Sequence, residues 1–218
     1  AKGVASQSNI AGGTTSDVTP DGLRIFRTVP SIAVTSNGGT LGAGLDLYKF
    51  TVTNPNSRDV VFQKFTMSIA TSGGSTNGFI LYGDGIAFNS STSTVNAEAF
   101  IELVSTGTSD AQIVPANGSK TYILKASTAV DTASVSETIN LALLADTSYS
   151  SCASLMCTVT LVEAGAAATD NIIWSPFSTT TPVATAATQS NLDWTNGYGL
   201  PGFPSNTDFP VQVWTRAN

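Results

Sequence analysis

Few residues in this chain are suited to acid–base or nucleophilic chemistry. The 218 residues include no histidine and two cysteines. A Ser-His-Asp or Cys-His nucleophile, a histidine general base and a histidine-ligated metal are therefore excluded. Glu98 and Glu102 are the closest pair of glutamates, but on a strand they would lie about 13 Å apart, too far for either glycosidase mechanism. We expect no enzymatic activity and no cofactor.

The two cysteines, Cys152 and Cys157 in "SCASLMCTV", predict a local disulfide. They are too close in sequence to join two sheets, and they lack the two further ligands that a zinc site needs. A loop this small would stabilise the fold by only about 2 kcal/mol, so the bond would hold a turn in place. The alternative is a pair of reduced, buried thiols that act as small apolar side chains.

Two kinds of loop could carry a ligand or a modification. Asp17, Asp21 and Asp84 lie beside flexible backbone carbonyls, which suits calcium, although the same residues commonly cap turns in their own backbone. Two acceptor sequons, at Asn89 and Asn117, fall in predicted turns and are candidate glycosylation sites.

The composition predicts an extracellular or cell-surface protein with no nucleic-acid partner. Charged residues make up 11% of the chain and its net charge is -6, so no basic stripe is available for phosphate backbones. No apolar run is long enough to span a membrane. The sequence begins Ala1-Lys2-Gly3 without Met, as a secreted protein does after signal-peptide removal, although an engineered start would look the same.

Beyond an extended arm at residues 1–21, the chain reads as one domain over residues 22–218. Short runs of period two, divided by turn residues, predict an all-β fold: an antiparallel two-sheet β-sandwich, either immunoglobulin-like or a jelly roll. In "LDLYKFTVTN" the apolar alternation slips once, which indicates a bulge. In "VVFQKFTMSIAT" the apolar face is expected to hold Val61, Phe65, Met67 and Ile69, with Gln63 as its one break.

The last third of the sequence is less regular. "SETINLALLAD" favours a strand over a short helix, because its apolar residues alternate with polar or small ones. Residues 175–210 form a long excursion between the predicted strands "NIIWSPF" and "FPVQVWTR". Within it, "QSNLDWTNGYGLPGFP" is rich in Gly and Pro, so we expect a loop that caps the core with Trp194 and Tyr198. A ligand platform is the alternative.

Two resemblances to known families bear on function. The pieces "LYKFTVT", "DVVFQKFTMSIA", "GFILYGDG", "SKTYILKAST", "NIIWSPFS" and "LDWTNGYGLPGFP" resemble, over residues 47 to 204, a β-sandwich module of large secreted surface proteins of candidate-phyla bacteria. This implies an extracellular structural module without catalytic residues. The stretch "YKFTVTNPNSRDVVFQKFTMSIA" is similar to secreted biofilm-matrix fibre proteins, which are jelly rolls polymerised by donated strands.

These observations favour a self-assembling extracellular structural protein, a subunit of a pilus-like or matrix filament or of a surface layer. Its main partner would be copies of itself. The alternative is a carbohydrate-binding or adhesive module, in which Trp194, Tyr198 and Trp214 stack on surface glycans.

A candidate assembly strand precedes the first regular strand. Leu23, Ile25, Phe26 and Val29 in "LRIFRTVPSIAV" could fill an open groove of a neighbouring copy, bracketed by prolines at 20 and 30. The competing interpretation is that these residues belong to the first strand of their own sandwich.

Overall fold

The computed structural model describes residues 26–35, 38–41, 45–73, 78–89, 92–95, 99–105, 111–126, 136–148, 170–176, 195–204 and 207–216. Within these ranges the chain forms strands and no helix, so the predicted all-β sandwich is confirmed. The described residues therefore contain no helix that could cross a membrane. In chain order the strands are β1 (Ser31–Thr35), β2 (Gly39–Thr40), β3 (Tyr48–Asn54), β4 (Val60–Ser72), β5 (Phe79–Gly83), β6 (Ile86–Ala87), β7 (Phe100–Val104), β8 (Ile113–Val114), β9 (Gly118–Ala126), β10 (Glu137–Leu143), β11 (Ile172–Ser175) and β12 (Gln212–Arg216).

Two sheets face each other across the core. One has the order β1-β3-β9-β5-β6, and the other has the order β11-β4-β10-β12-β2, with β7 and β8 on β4. When β1, β3, β4, β5, β9, β10 and β12 are labelled A to G, the sheets read A-B-E-D and G-F-C. This is the strand order of an immunoglobulin constant domain, so the structure favours the first of the two expected architectures over the jelly roll.

The edge connections also follow the immunoglobulin pattern. Strand β1 pairs with β3, and then β2 crosses to the other sheet and pairs in parallel with β12. The segment "SETINLALLAD" contains strand β10, as expected. Strand β11 lies in the long connection between β10 and β12 and extends the sheet along β4.

A β-bulge at Gln63 changes which residues of β4 face the core. Opposite β11, Ile173 pairs with Lys64 and Trp174 pairs with Phe62, which leaves Gln63 as the extra residue. The expected apolar face was therefore wrong at its start, because Phe62 and not Val61 joins the main core cluster. The amide of Gln63 is buried and donates to the carbonyl of Ser105.

The slip in the alternation before β3 is also a bulge. The Leu47 N–H donates to the Leu124 carbonyl, while the next residue, Tyr48, pairs with the same leucine. Tyr48 thereby enters the core, and its hydroxyl donates to the carbonyl of Pro210 at 2.9 Å.

Aromatic rings form the centre of the core. Phe65 packs against Phe50, Phe62 and Tyr122 with ring centroids 5.1 to 5.2 Å apart, which joins the two sheets. At one end of this cluster Trp174 is fully buried, and its indole N–H donates to the carbonyl of Asn196.

Trp174 connects three separate parts of the chain. Its ring stacks on Phe26 at 5.6 Å and on Phe203 at 5.8 Å. The segment before β1 and the irregular segment 195–204 are thus packed on the same side chain of β11.

Replacing Trp174 with Ala should lower the free energy of unfolding by about 3–5 kcal/mol, because a large cavity opens between Phe26 and Phe203. Chemical denaturation followed by circular dichroism measures this. Trp174→Phe is the matched control: it keeps a ring in the stack and loses the bond to Asn196, so its cost should be about 1–2 kcal/mol. Equal losses for the two variants would contradict the stacking argument.

Candidate assembly site

The edge of the first sheet at β5 is covered by the chain itself. An Asp-Gly turn, with φ of 47° at Asp84 and 87° at Gly85, folds β6 back onto β5 as a two-residue hairpin. Beyond β6, the side chain of Asn89 replaces a strand: its Oδ1 accepts the Leu81 N–H at 2.8 Å, and its Nδ2 donates to the Phe79 carbonyl at 3.0 Å. No strand could pair here without displacing these bonds.

The neighbouring edge of the second sheet is also covered. Ser93 forms a bridge with Phe79 of β5, and Val95 forms a bridge with Ile101 of β7. The hydroxyl of Ser93 donates to the backbone carbonyl of Glu102 at 2.8 Å. Residues 92–95 therefore close the sandwich along this side.

The opposite side of the sandwich carries a more open edge at β1. Strand β2, which borders the second sheet there, is two residues long and offers little to pair with. Strand β1 has five residues, "SIAVT", with no charge, no proline and no bulge in its pairing with β3. In the described part of the chain, one backbone bond covers its outer side, from the Ile32 N–H to the Gly202 carbonyl at 3.1 Å.

The direction of that bond shows which backbone groups of β1 point away from β3. Because the Ile32 N–H points away from β3, alternate residues of the strand share its orientation. The N–H and C=O of Val34 therefore also point off the edge, whereas those of Ala33 face Thr51 of β3. None of the described segments forms a backbone bond to Val34 on this outer side.

The segment that covers Ile32 is held by a buried polar joint. Asp146, just beyond β10, accepts the N–H groups of Asn171 at 2.6 Å and Gly197 at 2.8 Å. Next to it, the amide of Asn196 donates to Asp170 at 2.6 Å and to the Ser148 carbonyl at 2.8 Å. The joint ties the end of β10, the start of β11 and residues 195–204 together.

Burial dominates the electrostatics of this joint. It raises the pKa of Asp146 from 3.8 to about 6, although the backbone N–H bonds from Gly197 and Asn171 act in the opposite direction. The nearby charge of Asp170 raises the pKa further. The folded joint therefore binds a proton more tightly than the unfolded chain does.

A pair of exposed apolar side chains lies at the start of the last strand, Val211 just before β12 and Val213 within it. Val211 and Val213 are 56% and 45% exposed, and β12 buries the alternate residues Gln212 and Trp214. Both valines therefore lie on the surface that β12 turns away from the core.

The predicted assembly strand is described in part. Phe26 stacks on Trp174, and Val29 packs, half-buried, against the core of its own domain. Leu23 and Ile25 lie outside the described residues, as do residues 1–21, Cys152 and Cys157. Neither Val34 nor Asp146 was predicted as part of a site: the sequence signal for Val34 is the uncharged stretch between Pro30 and Asp46, and Asp146 has no local signal.

Trp214 is unsuited to the expected glycan-binding platform. Trp214 is 7% exposed, and its indole N–H donates to the carbonyl of Leu47 at 2.9 Å, so its ring is not free to stack on a sugar. Tyr198 is half-buried, and Trp194 lies outside the described residues.

The carboxylates considered for catalysis or calcium have structural partners. Glu102 forms an ion pair with buried Lys64 at 2.9 Å, and Asp84 accepts the Thr121 N–H at 3.0 Å. Glu98, Asp17 and Asp21 lie outside the described residues. Within the described ranges, no group of three acidic, His or Cys side chains is placed to hold a metal ion.

Comparison of the chain with protein-family models, with curated proteins and with solved structures finds no match. The two family resemblances therefore remain expectations from the sequence.

The stability of the fold should depend on pH through Asp146. Because its folded pKa is raised, its favourable contribution is complete below pH 3.8 and is lost as the pH rises through about 6. A shift of this size corresponds to about 3 kcal/mol. The difference in unfolding free energy between the wild type and Asp146→Asn should therefore change between pH 4 and pH 7. A difference in unfolding free energy that stays constant across this pH range would contradict the raised pKa of Asp146.

The two sequons should behave differently in a host that glycosylates Asn-Xaa-Ser/Thr. The Asn89 amide is buried and bonded, whereas Asn117 is exposed in a turn with φ of 53°. Peptide mapping by mass spectrometry should find a glycan at Asn117 and none at Asn89. A glycan on Asn89 in the folded protein would mean that the Asn89 side chain does not cover the edge of β5.

Proposed function

We propose that this protein is a self-assembling extracellular structural protein, a subunit of a filament or surface layer. The observation that carries the proposal is the uncharged edge of β1, which the described residues cover with one backbone bond, in a sandwich whose β5 and β7 edges are covered. Natural proteins usually protect a strand of this length with charges, proline or bulges. An edge left without these protections is suited to pairing with another chain.

The composition supports the same role. With 11% charged residues, about a quarter of the chain Ser and Thr, and a net charge of -6, the surface is solvated mainly by hydroxyl and amide groups. Such surfaces repel each other weakly, and salt screens the remaining repulsion. Assembly should therefore persist, or strengthen, as the ionic strength rises.

A polymer needs a second contact, because one symmetric contact yields a closed dimer. Val211 and Val213 supply a candidate, since they expose two apolar side chains at the start of β12. Contiguous exposed apolar surface often marks an interaction site. The carbohydrate-binding alternative has less support, because Trp214 is buried and bonded inside the domain.

Assembly is tested by size-exclusion chromatography with light scattering, and by negative-stain microscopy, over a concentration series. We expect oligomers that grow into fibres or sheets. Val213→Asp should stop growth beyond small oligomers, because it replaces an apolar contact with a charge. Thr215→Asp places the same charge on the same surface of β12, two residues away, and should have a weaker effect. A chain that stays monomeric at all concentrations and salt levels would overturn the proposal.

A further inference from the structure

The outer side of β1 is complementary to itself at one position. Val34 points both its N–H and its C=O off the edge of the sheet, as its place in the β1–β3 ladder requires, and no backbone group of the described residues bonds to either. A second strand that runs antiparallel with its own Val34 opposite would exchange two N–H···O bonds with it. We infer that the partner of this edge is β1 of a second copy, paired antiparallel about Val34 with two-fold symmetry. This inference rests on the proposed function, because it names the partner of that surface.

The side chains of β1 suit such a pairing. In this register Ala33 lies opposite Thr35 of the partner subunit, in a position without backbone bonds where Cα atoms approach to about 4.5 Å. Both side chains are small enough for this distance. Strand β1 carries no charge, so meeting its own copy creates no like-charge pair, although each chain has a net charge of -6.

Burial at Val34 favours the same partner. Val34 is half-buried and packs against the core from the edge of the sheet. A copy of the strand would cover the part of this side chain that remains exposed, and it would extend the five-stranded sheet into a continuous sheet across the two-fold axis. The apolar core of each subunit would then continue into the other at this edge.

The pairing is limited in length by the structure. Toward the start of β1, the Ile32 N–H is taken by Gly202, and Pro30 has no N–H to offer. The contact therefore centres on the bonds of Val34 and should be weak and reversible in dilute solution. It gains strength where subunits are concentrated, as in a filament or a surface layer.

Proline at position 34 tests the backbone bonds directly. Val34→Pro removes the outward N–H without removing a bond to β3, and an edge strand tolerates proline in that orientation. Val34→Thr is the matched control, because it keeps the N–H and a branched side chain of similar shape. Sedimentation velocity should show at least a tenfold loss of dimer affinity for Val34→Pro and little change for Val34→Thr, with thermal unfolding confirming that both are folded.

Cysteine crosslinking tests the register independently of stability. Ala33→Cys and Thr35→Cys are prepared separately, mixed and oxidised, with the wild type as the control for Cys152 and Cys157. The inferred register places Ala33 opposite Thr35 of the partner subunit but leaves like positions about 8 Å apart, beyond disulfide reach. Only the mixture should form a crosslinked dimer.

The outcomes separate this inference from the proposed function. If the wild type assembles, but Val34→Pro assembles equally well or the mixture fails to crosslink, the β1 pairing is wrong while self-assembly stands. A crosslink in either single variant alone would overturn the register. If the wild type never assembles, the proposed function fails. Capture of an unrelated extended peptide at β1, with no crosslink between copies, would identify a different occupant and overturn the inference.

Discussion

The backbone groups at the edges of a β-sheet have to form hydrogen bonds with something, and this constraint explains much of the molecule. Proteins often protect sheet edges with lysine, glutamate or proline. A chain with 11% charged residues has few such side chains available. Instead, the Asp-Gly hairpin, the amide of Asn89 and residues 92–95 cover one side of the sandwich from within the chain. Among the described residues the same constraint is met only in part at β1, and the proposed contact with a second copy would complete it.

The same constraint explains the contacts of the irregular segment 195–204, because backbone groups buried in the interior also need hydrogen-bond partners. Sheet pairing satisfies only its first residue, Thr195, which bridges to Trp174, so its other backbone donors need acceptors from elsewhere. The carboxylate of Asp146 accepts the Gly197 N–H, and the side-chain amide of Asn196 donates to Asp170 and to the Ser148 carbonyl. The cost is a buried carboxylate with a raised pKa. Phe203, stacked on Trp174, adds the apolar part of the anchor.

The anchor and the assembly edge are physically connected. The carbonyl that covers Ile32 belongs to Gly202, the residue next to Phe203, and a side chain at this glycine would collide with Ser31. The position of residues 195–204 therefore determines how much of β1 is accessible. This loop thus also sets one boundary of the proposed contact: it covers the N–H of Ile32, and no described residue covers the outward backbone groups of Val34.

Local features of the sequence determined the type of structure. Period-two alternation predicted the strands, including β10, and the slip before β3 indicated a bulge there, since side chains alternate across a strand whatever lies opposite. The Asp-Gly pair at 84–85 lies in a turn for the same local reason. The tertiary structure decided what depends on distant partners. The core-facing side of β4 at Gln63 is set by pairing with β11, more than a hundred residues away, and the burial of Asn89, Trp214 and Asp146 is set by neighbours that no local pattern reveals. The open edge of β1 belongs to this second group, because a strand becomes an edge only through the order in which the others pair.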